Sequence, residues 1–165
     1  RGKGKEDQGD RLQIPGQHRT FVCGGVSMNQ NYIHTITLYN RIRSADSSDK
    51  KEHWRRTVLR GCFWKTVINT GFFGTQASVQ NTYVVRIPEN SHYRSYAEYI
   101  NANRGFFTAS AGDIVVKGEC KEEITGEGGQ TAAQILNRYK PDAFKVTAFS
   151  DNTGFPVGKH YRLGG

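Results

Sequence analysis

The sequence is short of most of what an enzyme or a membrane protein needs. No stretch approaches the roughly 20 consecutive apolar residues of a membrane span. Its three cysteines, Cys23, Cys62 and Cys120, are far apart and form no C-x-x-C pair, which argues against a zinc ribbon or a thioredoxin-type motif. They read as reduced thiols made in a cytoplasm, with Cys62 a small core residue between apolar neighbours. Proline is scarce at 4 residues, whereas glycine is plentiful at 19, a balance that suits many turns rather than a disordered tail. The glycine clusters Gly126-x-Gly128-Gly129 and Gly71-x-x-Gly74 are too short to cradle a nucleotide phosphate and lack the G-x-x-x-x-G-K-[ST] pattern. Acidic residues number 15 against 23 basic ones, so the net charge is +8. That surplus permits a polyanionic partner.

What is present reads as β-structure in one domain. Length is enough for a single core. The 17 Tyr and Phe residues, 8 and 9 of each, suit pleated, half-buried surfaces. Ile33–Ile42 alternates apolar and polar residues as a strand does. Trp54–Asn69 is the longest β-like run, with Gly61 inside it as the mark of a bulge or sharp bend. Asn69-Thr70-Gly71 and Gly74 supply turn chemistry around Phe72-Phe73. Val79–Ile87 is the next strand, ended by Pro88. Gly112–Glu119 is a strand entered through a Gly-Asp turn, Ala143–Phe149 is another, and His160–Leu163 is the last. Tyr93–Ile100 has the spacing of one or two helical turns through Tyr96, Ala97 and Ile100. The short helix at about 131–139 is better marked: Thr131 caps it, Ala132, Ile135, Leu136 and Tyr139 form one stripe, and Pro141 stops it. The expected fold is mainly β, a small barrel or sandwich with that short helix and long polar loops at Ser44–Lys51 and Lys121–Gln130.

Residues 1–27 differ from the rest, mixing glycine, charge and glutamine without periodicity. The only methionine, Met28, precedes the first strand, and Gly24-Gly25 could be the in-frame reading of a ribosome-binding site. The expectation is a disordered or non-native leader over 1–27 and one barrel-like domain over 28–165. The mass of the protein from its natural source distinguishes such a leader from a native arm.

No catalytic constellation is apparent. Cys62 or Cys120 could in principle be joined by His34, His53, His92 or His160, but no local spacing supports such a pairing, and the isolated histidines do not suggest a metal site. No catalytic residue, metal or cofactor is therefore assigned. The best candidate contact surface is the basic cluster Lys50, Lys51, Arg55, Arg56 and Arg60, as a DNA-facing or interface patch. Strand parity puts Arg56 and Arg60 on one face and Arg55 on the other. A solvated strand edge guarded by charge accounts for the same cluster.

The ordered set of strand motifs carries a resemblance. It runs from His34-Thr35-Ile36-Thr37-Leu38-Tyr39 through Thr57-Val58-Leu59-Arg60-Gly61-Cys62-Phe63-Trp64 and Ile87-Pro88. It continues with Gly112-Asp113-Ile114-Val115-Val116-Lys117-Gly118 and ends at His160-Tyr161-Arg162-Leu163. Over about Tyr32 to Gly165 this resembles small structural-module proteins of tailed phages and prophages of Gram-positive hosts, the head–tail connector, stopper or minor capsid class. The resemblance implies a virion protein at the head–tail junction that joins portal or adaptor to tail and helps retain DNA. It further implies a homo-oligomeric ring in the particle, portal, adaptor and tail proteins as partners, non-specific contact with packaged DNA, no membrane, and synthesis in the bacterial cytoplasm. A different class of function, a single-stranded nucleic-acid-binding barrel, would need exposed aromatics interleaved with arginine; Phe63-Trp64 and Phe72-Phe73 are the candidates.

Overall fold

A computed structural model describes residues 20–22, 30–73, 76–102 and 105–165. Its strands are β1 (Thr20–Val22), β2 (His34–Ile42), β3 (His53–Phe73), β4 (Gln76–Pro88), β5 (Ile114–Lys117), β6 (Ala143–Lys145), β7 (Ala148–Asp151) and β8 (His160–Gly164). The helices are α1 (Tyr96–Asn101) and α2 (Ala132–Arg138). The fold is mainly β, as the alternation of apolar residues requires. Of the expected leader, residues 20–22 pair in parallel with β3 at Val58–Arg60, and the others lie outside the described residues.

The strands form one sheet in the order β6-β5-β2-β3-β4-β8-β7, with β1 beside β3. The two ends of that order are consecutive in the chain. Ala143–Phe149, expected as one strand, is in fact two, because it changes partners at Val146-Thr147. Before the change it pairs with β5, and after it with β8. The change is held on both sides: Val146 exchanges backbone bonds with Gly112 and Asp113 at 2.8 Å each, and the Thr147 N–H donates to the Gly164 carbonyl at 2.8 Å. Joining the two ends through two residues curls the sheet into a barrel-like wall and leaves few open edges.

The curl starts in β3. Gly61 has φ +71, and the register against β2 shifts between His34/Cys62 and Ile36/Leu59. One extra residue on β3 is the bulge that the glycine announced. It also exchanges the strand's faces: Leu59 points into the main core, and so do Cys62 and Trp64. That core lies inside the curl, with Ile36, Leu38, Val85, Ile87, Val115 and Leu163. The inner aromatics lock it. Tyr83 stacks on Phe144 at 4.9 Å, and Trp64 meets Phe144 edge-on at 5.4 Å, which ties β3, β4 and β6 together at about 0.5–1.5 kcal/mol per pair.

A second core sits on the outer face of β2 and β5. There Tyr39, Ile114 and Val116 are covered by Ile124, Ile135 and the partly buried Ala132, Leu136 and Tyr139. The α2 stripe is the expected one. Thr131 Oγ1 accepts from the Gln134 N–H, and the Gln134 side chain returns a bond to the Thr131 backbone, a complete capping box. In α1 the expected stripe of Tyr96, Ala97 and Ile100 is displaced: the buried residue is Tyr99, held under the Arg55 guanidinium at 5.0 Å.

Replacing Gly61 by alanine forces a side chain into the left-handed region, at a cost of about 1–2 kcal/mol. The urea midpoint of Gly61→Ala should fall accordingly with the slope unchanged.

Candidate functional site

The feature with the clearest outward purpose is the far end of β3 and β4. Pairing between them runs without a break from Phe63/Arg86 to Phe73/Gln76. The expected turn around Asn69–Gly71 is therefore not where the strands end; β3 continues to Phe73 and β4 begins at Gln76. Their neighbours stop much sooner. β2 reaches β3 only at Cys62, and β8 reaches β4 at Val84, with Gly165 bonded to Tyr83 just beyond. From there outward the ribbon is two strands wide among the described residues. Seven residues per strand, 67–73 and 76–82, at about 3.3 Å each make an arm of about 23 Å.

The side chains of Lys65, Thr66, Ile68 and Asn69 and of Gln80, Asn81 and Thr82 opposite are exposed, Ile68 at 69%. Between Lys65 and Tyr83 the sequence has one charged residue, Lys65, and no proline. Natural sheets protect open edges with lysine, proline or bulges. A lone two-stranded ribbon is at best marginally stable in water. Among the described residues this hydroxyl-rich ribbon leaves the backbone groups of both its edges open to pairing.

The basic cluster singled out in the sequence does not form a patch. Arg56 and Arg60 do share a face, as their parity requires. But the Arg56 side chain is 2% exposed, paired with Glu123 at 3.0 Å and donating to the Cys120 carbonyl at 2.6 Å. Arg60 is paired with Glu119 at 2.9 Å. Arg55 donates to the Tyr99 and Ala102 carbonyls at the end of α1, both at 3.3 Å. Lys50 holds a left-handed turn at φ +58, and the Lys51 N–H donates to Asp49. The 44–51 loop is a bonded turn: Asp49 also accepts from Ser47 and His53, which holds its carboxyl well below the usual range. The other polar loop, 121–130, packs Ile124 onto the outer core, and Glu122 is bonded to Arg138 and Tyr139.

The thiols and imidazoles sit apart from solvent or in turns. Cys62 and Cys120 are both buried. The register sets His34 opposite Cys62, a pairing that sequence spacing could not disclose, but Cys62 is fully enclosed in the main core, which leaves no room for a substrate. His53 bonds Asp49, and His160 Nδ1 is 2.6 Å from the Gly158 carbonyl. No group of three or more metal-ligating side chains forms among the described residues. Of the aromatic candidates, Trp64 is in the core and Phe63 lies under the Arg86 guanidinium at 5.2 Å. The side chains of Phe72 and Phe73 lie outside the described residues.

One buried polar group stands out. Asp113, in the Gly-Asp turn, is fully buried and accepts from the Arg41 N–H at 2.8 Å, the Ser110 N–H at 2.9 Å and the Asn40 amide at 2.9 Å. Asn40 also donates to the Thr108 carbonyl at 2.7 Å. The carboxyl thereby pins the segment before β5 to the end of β2. Gly112, at φ +102, makes the turn that presents it. Desolvation outweighs these donors and pushes the carboxyl up to about 6 from 3.8.

The chain belongs to the Family of unknown function (DUF6751), whose model matches residues 31–165. No curated protein and no solved structure matches it.

Two measurements test these assignments. A carboxyl raised in the folded state stabilises fully below about pH 4, and its contribution disappears as pH rises through about 6. Relative to Asp113→Asn, the parent should therefore lose about 2 kcal/mol between pH 4 and pH 7 by urea denaturation. Asp113→Asn itself should be destabilised, since its amide faces three donors. Separately, Arg56→Ala should cost about 2–3 kcal/mol, and Arg60→Ala less than about 1 kcal/mol, because the Arg56 guanidinium is buried and bonds the Cys120 carbonyl as well as Glu123, whereas Arg60 and Glu119 are both exposed.

Proposed function

We propose that this chain is a structural protein of a tailed-phage virion at the head–tail junction, where it joins portal or adaptor to tail as one subunit of a ring. The observation that carries the proposal is the arm. A barrel that closes its own edges but extends a ribbon of about 23 Å, open on both edges among the described residues, holds its binding capacity in one projecting element. Ring subunits make head-to-tail contacts, and these need such a donor element on one side and a receiving surface on the other. The resemblance in strand motifs supports a place at the head–tail junction. The body of the barrel, held by the inner aromatics and the Asp113 turn, serves as the rigid base from which the arm projects.

Shortening the arm tests this without disturbing the base. A variant in which Val67 is joined to Thr82 through an Asn-Gly turn keeps the β3–β4 register and every strand pair with β2 and β8. It should remain a folded monomer, with near-ultraviolet circular dichroism from Trp64 and Tyr83 retained. Co-expressed with the genes that flank its own, the parent should appear in particles or rings by negative-stain microscopy and the shortened chain should not. Equal incorporation of both, or a parent that never joins an assembly, would refute the proposal.

A further inference from the structure

The outer face of β3, β4 and β8 concentrates positive charge that the protein does not neutralise. In the sheet register Phe63 lies opposite Arg86, and Arg86 lies opposite Arg162. Residues directly opposite on antiparallel strands project from the same face with Cβ atoms about 5 Å apart, and like charges so placed repel. Lys65 stands one pair further along on the same face, opposite Val84. Elsewhere the molecule meets its cations with carboxylates: Arg41 with Glu52, Arg56 with Glu123, Arg60 with Glu119, and Lys159 with Glu89. No carboxylate meets Lys65, Arg86 or Arg162 among the described residues. Arg86 is held in place by packing over Phe63, and its Nε is buried without a partner.

The charge continues into a groove. Arg162 and Lys140 line an open groove of about 940 Å³ beside the base of the arm, and none of its lining residues is acidic. Its other polar walls include Gln80, Thr147 and Ser150, residue types that commonly contact phosphate and sugar.

We propose that Lys65, Arg86, Arg162 and Lys140 form a binding track for the phosphate backbone of a nucleic acid, read without regard to sequence. Two opposed arginines are costly in the free protein and favourable once a phosphate lies between them. Because Phe63 is covered by Arg86 and Trp64 is in the core, neither ring stacks on bases. The contact is with the backbone. This surface is distinct from the Lys50–Arg60 cluster, whose arginines are engaged internally, and it does not depend on a place in a virion.

The probe is a fluorescein-labelled 30-base-pair duplex of mixed sequence, titrated with the full chain and followed by anisotropy. Four phosphate contacts predict about a hundredfold weaker binding at 200 mM than at 50 mM salt. The double variant Arg162→Gln/Lys140→Gln changes exposed residues only, and its circular dichroism should match the parent. It should bind at least about tenfold more weakly at 50 mM salt, with the salt slope reduced by about 2. The control Lys50→Gln/Lys51→Gln, with the same loss of net charge, should stay within about twofold of the parent. Equal weakening by both variants, no loss in the first, or no binding by the parent would overturn the assignment. Displacement of the duplex by polyglutamate of matched charge would overturn it in favour of an acidic protein partner.

Discussion

The structure depends on what β3 does at Gly61. A flat strand of 21 residues would carry one face throughout. The bulge exchanges that face, so that Leu59 before it and Trp64 after it both enter the same core. Without the exchange, Trp64 would face solvent and Phe63 would face Phe144. The bend lets one strand serve two parts of the sheet: β2 on one side of the glycine and β4 on the other. Only a residue free to sit at positive φ makes that possible without strain.

The closure at Val146-Thr147 is the counterpart at the opposite side of the barrel. A single segment leaves β5 and joins β8, and its Phe144 is the ring on which both Trp64 and Tyr83 rest. The bulge and the change of partners are thus coupled through one aromatic cluster. Where that cluster ends, so does the flanking sheet, and the arm begins. The rigid base and the projecting ribbon are two consequences of the same geometry, since β2 and β8 stop where the inner core stops needing them.

Much of this was legible in the residues. The glycine at 61, the Gly112-Asp113 turn, the Thr131 cap and the stop at Pro88 each announced themselves through local backbone chemistry, which is encoded within a few positions. Less legible were properties set by distant partners. Asn69-Thr70-Gly71 reads as a turn because its residue types favour one, yet strand pairing carries β3 past it to Phe73. Arg56 reads as exposed because arginine usually is. Its burial is set by Glu123 and the Cys120 carbonyl, more than 60 positions away. The opposed arginines Arg86 and Arg162 are 76 positions apart, the difference of their numbers, and only the register of β4 against β8 brings them together.

That last case shows why a count of charges misdirects. The +8 surplus belongs to the whole chain, and the densest basic run in the sequence, around Arg55 and Arg56, is the part whose arginines the fold consumes. Carboxylates from the 119–123 segment and the carbonyls at the end of α1 take up those guanidinium groups. Lys65, Arg86, Lys140 and Arg162 are scattered in sequence, and the sheet collects them on surfaces where no acid was placed. On the outer face of β3 the arginines before the bulge meet carboxylates, whereas beyond it the same face, continued by β4 and β8, leaves its cations unmet among the described residues. The outer face of β3–β4–β8 is therefore where the proposed polyanion would lie, beside the root of the arm through which neighbouring proteins would be bound.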